Sequence, residues 1–179
     1  MPGRRLSQRI SEGDGISIIV CVDDAGAARD AEEQGAEAIA VATAIDGIRE
    51  ATSLPLLWIG EGVPGEADAV CIRAGEESSS EAHALEAVVD VRDEEELEQA
   101  LEALDPEIFL LSGHDGEDDD PLDAVLELLP DVPAGKLAIA KVHVTSRDEV
   151  LALERAGVDA VLVPQGHVGA LVGDQPLDV

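Results

Sequence analysis

Three side chains that could transfer protons or bond covalently to a substrate lie within or directly after runs of apolar residues. Asp90 belongs to the run AVVDV, while Lys141 and His143 occupy alternate positions of LAIAKVHV. A lysine in such a setting can act as a nucleophile or an acid, and a carboxylate or imidazole beside it can hold or move a proton. Lys141, Asp90 and His143 are therefore candidate catalytic residues. The structural alternative is that Lys141 and Asp90 form a buried ion pair.

A second group of side chains has the chemistry of a metal site. Imidazole and carboxylate ligands suit zinc and other transition metals. The candidate ligands are His114, His143, His167 and Asp23. They are far apart in the sequence and include no HxH or HxxxH pair, so only folding could bring them together. The alternative is that the histidines lie on surface loops and bind no metal. We expect no organic cofactor.

The charge of the chain excludes several kinds of partner. Forty Asp and Glu residues against eleven Lys and Arg give 179 residues a formal charge of -29. Such a surface repels nucleic acid and anionic lipid, so we expect neither nucleic-acid nor membrane binding. Scarce lysine and abundant acid are typical of a halophilic protein. Although high charge also accompanies disorder, 45% of the residues are hydrophobic and fall in ordered runs, which favours a folded chain.

The expected location is the cytoplasm. The N-terminal residues lack an apolar segment long enough for a signal peptide, and no run approaches transmembrane length. Cys21 and Cys71 each lie in an apolar run without a CxxC pattern, which predicts reduced, structural cysteines.

The elements that would position these side chains alternate between strands and helices. Most of the predicted strands are continuous apolar runs, as parallel strands covered by helices require. They lie at 16–22, 37–42, 55–59, 68–72, 87–91, 107–112, 137–144 and 159–164. Helical spacing and capping residues mark the intervening segments. These predicted helices lie at 27–34, 46–52, 79–85, 92–104, 120–129 and 146–156.

A repeated unit indicates how the strands are arranged. Residues 27–41 and 148–163 both run from an acidic helix through a glycine into a buried strand. Eight such strands predict an α/β fold of the compact (βα)8 TIM-barrel type, with an open doubly wound sheet as the alternative. Segment 60–67 and the residues after 164 are too short for full outer helices. We therefore expect bare apolar surface around strands three, four and eight, buried in a homo-oligomer.

The predicted domain organisation is a single barrel over residues 1–179. Residues 1–14 would be an N-terminal extension and residues 170–179 a C-terminal tail. Alternate residues of a barrel strand face inward, so Asp90 and Lys141 would reach the interior near the strand ends, where barrel enzymes place their sites. His114 and His167 follow strands six and eight at the same end.

Several windows of the chain resemble indole-3-glycerol-phosphate synthase, and the resemblance extends along nearly its whole length. The clearest windows are 54–59, 88–97 and 145–163, and they occur in the order and spacing of that family. The resemblance implies a ribulose-phosphate-binding barrel. It also implies a lyase of tryptophan biosynthesis that closes an indole ring with lysines, glutamates and a phosphate cradle on the last two strands.

The residues that carry this chemistry in the family are replaced here. Its Glu-Val-Lys on strand one is matched by Cys21-Val22-Asp23, and its Leu-Arg-Lys-Asp on strand three by Leu57-Trp58-Ile59-Gly60. Asp90, with a shorter side chain, stands where the family has a glutamate on strand five. The family's Asn pair on strand six is matched by the segment Leu111-Ser112-Gly113, which contains no Asn. The phosphate-binding ends of strands seven and eight are matched by Lys141-Val142-His143-Val144 and Pro164-Gln165-Gly166. Pro164 has no N–H to offer a phosphate.

These replacements lead to two hypotheses. The first is a diverged paralogue that has lost ring closure, a pseudoenzyme acting as a binding, regulatory or assembly subunit with a small-molecule ligand. The alternative is an enzyme, either a carbon–carbon lyase of tryptophan biosynthesis or a related barrel enzyme that uses Lys141, Asp90 and His143.

Overall fold

Eight parallel strands form a closed barrel in which each strand pairs with its neighbour in the chain. The computed structural model describes residues 5–13, 15–62, 64–76, 85–112, 120–166 and 168–172. The strands are β1 Ser17–Val22, β2 Ala38–Val41, β3 Leu56–Trp58, β4 Ala69–Arg73, β5 Glu86–Val91, β6 Ile108–Ser112, β7 Leu137–Lys141 and β8 Ala160–Pro164. Pairing of β1 with β8 closes the ring, which confirms the barrel and rules out the open sheet.

Helices follow most of the strands, as the sequence predicts. They are α1 Arg5–Glu12, α2 Ala25–Glu33, α3 Ile48–Ala51, α4 Glu94–Ala103, α5 Pro121–Leu128, α6 Arg147–Ala156 and α7 Val168–Val172, with a 3-10 turn at Leu129–Asp131. The predicted helix at 79–85 falls almost entirely outside the described residues. None of the helices among the described residues is long and apolar enough to span a membrane.

Capping residues fix where the helices of the repeated unit begin and end. Ser146 and Glu149 form a capping box at the start of α6, in which each side chain bonds the backbone at the other residue. Gly157 ends α6 with a φ of 107°. Gly35, which follows α2, has a φ of 102°. Both glycines adopt the left-handed conformation that lets the chain turn from the helix into the next strand.

The interior of the barrel is filled by layers of four side chains. Neighbouring strands are staggered, so inward residues of odd-numbered and even-numbered strands alternate along the barrel axis. From the N-terminal end upward, the pairing registers give three layers: Ala38, Ala69, Ile108 and Ala160; then Ile19, Leu57, Val88 and Ile139; then Ala40, Cys71, Leu110 and Leu162. The lower barrel is therefore a packed apolar core.

Helix α1 closes the N-terminal end of the barrel. The lowest layer holds three alanines, and Leu6 and Ile10 of α1 pack against it with exposures of 0% and 4%. The N–H and hydroxyl of Ser7 both donate to the carboxylate of Glu86, at 2.7 and 2.8 Å. Arg5 forms an ion pair with Asp68 at 3.0 Å. Within the segment 1–14 that was predicted as an N-terminal extension, residues 5–12 therefore form a helix that packs against the core.

The outer faces of β3 and β8 are covered, contrary to the expectation of bare apolar surface. No helix occurs between β3 and β4 in the described part of the connection, as predicted. Even so, Leu56 and Trp58 of β3 are only 1% and 5% exposed, because α3 and the turn around Pro64 fold over them and leave a cavity of about 240 Å³. On β8, Val163 is 2% exposed and packs in the same outer core as Leu171 of α7.

Candidate functional site

The C-terminal mouth of the barrel is where polar side chains replace the apolar layers. One layer above the core, the registers place Cys21, Asp90 and Lys141, and Ile59, just after β3, packs against the same interior cluster. Directly above them lie Arg73, Ser112 and Pro164. In a parallel ladder, paired residues share a face, and Lys141 pairs with the interior residue Leu162. The structure thus brings Lys141 and Asp90 to the same level of the mouth, as the sequence predicts.

Lys141 is exposed at the mouth and forms no ion pair with Asp90. The alternative of a buried Lys141–Asp90 ion pair was therefore wrong. The contrast with the second lysine is sharp, because Lys136 Nζ lies 2.8 Å from Asp105 Oδ1. In the described part of the chain, Lys141 has no hydrogen-bond or ion-pair partner. A positive charge at the mouth is thus available to a ligand.

Asp90 is held by a neighbour that the sequence analysis did not single out as a site residue. The Ser112 hydroxyl, on the adjacent strand β6, donates a short hydrogen bond to Asp90 Oδ1. Ser112 is only 9% exposed, and Asp90 is half-buried. This bond fixes the orientation of the carboxylate, and no described residue bonds to its second oxygen. Asp90 can therefore accept a hydrogen bond from a ligand at Oδ2.

The two cysteines lie at the base of the mouth, and neither is set up as a nucleophile. The pKa of the Cys71 thiol is raised to about 12, mainly by burial and also by the charge of Asp90, while Lys141 and Arg73 oppose the shift. Burial likewise raises the pKa of Cys21, opposed by Lys141 and reinforced by Asp23. Both thiols are therefore protonated at neutral pH, when a reactive cysteine would be a thiolate. Their surroundings also show that the charges of Lys141, Arg73 and Asp90 act on one small region.

Arg73 supplies a second positive charge to the mouth. It is the last residue of β4 and pairs in register with Asp90, so it shares the inward face. It is exposed and has no ion-pair partner in the part of the chain that the structure describes. The predicted strand ended at residue 72, so Arg73 was missed. Arg92, by contrast, is neutralised by Glu96 at 2.6 Å.

Two of the four predicted metal ligands, His143 and Asp23, lie among the described residues. His114 and His167 lie outside the described residues. His143 and Asp23 are exposed beyond the ends of β7 and β1. The backbone N–H of Asp23 donates to Gln165 Oε1 at 3.3 Å. Within the described ranges, no group of three His, Cys, Asp or Glu residues is placed to hold a metal ion.

In the residues described at the ends of β7 and β8, no phosphate cradle is formed. β8 ends at Pro164, which has no N–H, and Gly166 follows with a φ of 98°. The helix after β8, α7, has only 5 residues. The residues described here offer the polar side chain of Gln165, whose oxygen already accepts the Asp23 N–H. The available positive charge lies instead on Lys141 and Arg73.

Comparison with known proteins supports the resemblance seen in the sequence. No protein-family profile matches the chain. Indole-3-glycerol phosphate synthase of Variovorax paradoxus (strain S110) is 34% identical over 83 residues, covering 46% of this chain and 31% of that protein. The synthase of Acidithiobacillus ferrooxidans (strain ATCC 53993 / BNL-5-31) is 29% identical over 140 residues, covering 67% of this chain and 52% of that protein. The chain is similar to indole-3-glycerol phosphate synthase.

The chain spans about half or less of the length of these curated relatives. A solved structure of N-acetylmannosamine-6-phosphate 2-epimerase from Clostridium perfringens has the same fold, with a TM-score of 0.61 and 16% identity over 83% of this chain and 86% of that chain. Sequence similarity and fold together support a diverged ribulose-phosphate-binding barrel.

Proposed function

We propose that this chain is a diverged, synthase-like barrel that binds a small anionic molecule at its mouth and serves as a binding, regulatory or assembly subunit. The observation that carries the proposal is the state of Lys141. In a chain of charge -29, this lysine points into the mouth and has no ion-pair partner in the described residues. A positive charge in such a cleft attracts anions even where the rest of the protein surface repels them.

Loss of ring closure is part of the proposal. The resemblance puts Ile59 where the synthase family has a general-acid lysine, and Ile59, like Cys21, packs against the interior cluster of the barrel. An alkyl side chain can neither donate a proton nor stabilise a developing negative charge. Lys141 stands where the family has a glutamate of strand seven, so its charge is reversed relative to that position.

A ligand screen tests the binding function. The thermal midpoint would be measured in molar KCl with phosphorylated sugars, small carboxylates and anthranilate-like compounds, for wild type, Lys141→Met and Lys136→Met. We expect at least one anion to raise the midpoint of wild type and Lys136→Met but not of Lys141→Met. Equal shifts in all three proteins, or none with any compound, would contradict the proposal. Formation of indole-3-glycerol phosphate by the purified chain would contradict the loss of ring closure.

The alternative function is catalytic. A carbon–carbon lyase of tryptophan biosynthesis, or a related barrel enzyme, would use Lys141 with Asp90 and His143. It is favoured by the shared layer of Lys141 and Asp90 and by the position of His143 two residues beyond Lys141. Lys141→Met would then remain folded and bind ligand while losing turnover. Genes of tryptophan biosynthesis beside this one, without a full-length synthase gene, would favour the enzyme.

Assembly and cellular context complete the proposal. We place the protein in the cytoplasm of a halophile as a homo-oligomer. The outer faces of β3 and β8 are covered and do not themselves call for a partner subunit. In the described part of the chain the exposed large hydrophobic residues are Leu104 and Leu126. Light scattering in molar KCl provides the test, and a mass of 18.6 kDa would show a monomer.

A further inference from the structure

We infer that the ligand of the barrel mouth is a small monocarboxylate that also carries a hydroxyl or amino group. Its carboxylate lies between Arg73 and Lys141, and its hydroxyl or amino group donates to Asp90. This inference rests on the proposed binding function and specifies which anion the site takes.

The positions of the two cations carry the first step. Arg73 enters the mouth from β4 and Lys141 from β7, three strands further round the eight-stranded ring. Both are on the inward face, because Arg73 pairs in register with Asp90 and Lys141 with the interior residue Leu162, and both charges lower the pKa of the Cys71 thiol below them. An arginine binds a carboxylate through two parallel N–H bonds, whereas a lysine adds a point charge. A carboxylate between them would satisfy both groups.

The net charge of the site favours a monoanion. Arg73 and Lys141 share the mouth with Asp90, which pairs in register with Arg73, and with Asp23 and Glu76, whose charges also act on the two thiols at its base. These carboxylates leave no excess of positive charge to balance a ligand with two negative charges. A phosphate carrying two charges would place excess negative charge near Asp90, and the described residues of the site present no row of backbone N–H donors of the kind that phosphate sites provide. The charge balance therefore favours carboxylate over phosphate.

Asp90 determines the second feature of the ligand. The Ser112 hydroxyl uses its only proton on Asp90 Oδ1, which leaves Oδ2 as an oriented acceptor. An ionised carboxylate cannot donate, so the complementary ligand group must carry a proton on oxygen or nitrogen. Ile59 and Cys21, which pack against the interior cluster of the barrel, leave the rest of the floor apolar. A short hydroxy acid or amino acid has this combination of groups.

Alkylation of Cys21 provides a direct test, because iodoacetate is itself a small monocarboxylate and iodoacetamide is its neutral analogue. Both form the same thioether bond at Cys21 with loss of iodide, so their rate ratio cancels differences in thiol ionisation. The sites would be assigned by peptide mass spectrometry, which separates Cys21 from Cys71. The reference is the ratio at the same residue in the urea-unfolded chain. The folded proteins are wild type, Arg73→Gln, Lys141→Met and the controls Arg29→Gln and Lys136→Met.

We expect folding to raise the iodoacetate-to-iodoacetamide ratio at Cys21 by about tenfold, although the net charge of the protein repels iodoacetate. Arg73→Gln and Lys141→Met should each remove most of this increase, and the two control variants should keep it. Glycerate should protect Cys21 of the wild type from alkylation at a concentration about tenfold lower than propionate, which has no hydroxyl, would require. Asp90→Asn, which can itself donate, should reduce that difference.

Several results would overturn the inference. One is a ratio no higher in the folded protein than in the unfolded chain; another is equal loss in the control variants. Protection by inorganic phosphate at lower concentration than by glycerate would show a phosphate site instead. If the ligand screen still finds a Lys141-dependent compound of another class, only the carboxylate inference fails. If neither experiment shows a Lys141-dependent ligand, the proposed binding function fails as well.

Discussion

Ser112 donates its hydroxyl proton to the carboxylate of Asp90 across the neighbouring strands β6 and β5. Asp90 is thereby held by a neutral group, and Lys141, at the same level of the barrel, keeps its charge exposed. The polar mouth is thus organised by a hydroxyl–carboxylate bond instead of an ion pair. This arrangement changes what substitutions at the two charged residues should do.

Asp90→Ala should reduce the free energy of unfolding by about 1–2 kcal/mol, since it removes one hydrogen bond and leaves the Ser112 hydroxyl without its acceptor. Lys141→Met should change it by less than about 0.5 kcal/mol, as for an exposed side chain. Urea unfolding in molar KCl measures both. A loss of about 3–5 kcal/mol for Asp90→Ala would indicate a buried ion pair after all.

Leu6→Ala should cost about 2–5 kcal/mol, because it empties space that α1 fills against the alanine layer of the barrel. The matched control is Leu104→Ala, at a leucine that is 43% exposed, which should cost no more than about 0.5 kcal/mol. Equal costs for the two variants, measured by urea unfolding, would mean that α1 does not close the barrel.

Salt should stabilise the fold strongly. At a net charge of -29, repulsion between carboxylates opposes the compact state. The screening length falls from about 10 Å at 0.1 M salt to about 3 Å at 1 M, which removes most of this repulsion. The thermal midpoint should therefore rise steeply from dilute buffer to molar KCl. A flat midpoint across that range would contradict the halophilic assignment.

Asp159→Asn should stabilise the protein at neutral pH. Burial raises the pKa of Asp159 above its ordinary 3.8, although the Ala138 N–H donates to it and opposes the shift. The native state therefore holds this proton more tightly than the unfolded chain, and the resulting stability is lost as pH rises through the native pKa. Asparagine keeps an acceptor oxygen without the charge. The advantage of the variant over wild type, measured by urea unfolding, should grow from acidic to neutral pH.

Glu96→Gln is a control for which the effect on stability should depend on pH in the opposite way. The hydrogen bond from Arg92 lowers the pKa of Glu96 below its ordinary 4.5. The stability that Glu96 contributes is present above that value and is lost as pH falls through the native pKa. This variant should therefore be less stable than wild type at neutral pH and equal to it in acid. The same pH trend in both variants would contradict the two opposite assignments.

The sequence alone was sufficient for the order of the strands and of helices α2 to α6. Each apolar run that it predicts contains a strand, and most boundaries agree to within one residue; the largest difference is β7, which ends at Lys141 instead of residue 144. These signals are local, since apolar runs, capping residues and helix-ending glycines act on their own segment. Helix α1 was missed because an eight-residue helix with two buried apolar residues has too short a pattern to recognise.

The sequence also placed Asp90 and Lys141 on inward faces, because side chains alternate along a strand. It could not say how they interact. Strand stagger sets which residues share a level, and exposure at the mouth decides whether a long side chain pairs with a neighbour or remains in solvent. Ser112 and Arg73 joined the site for the same reason: their partners lie on other strands. The amino-acid sequence therefore determined the barrel and its acidic surface, whereas the charges available at its mouth were decided by tertiary contacts between distant segments.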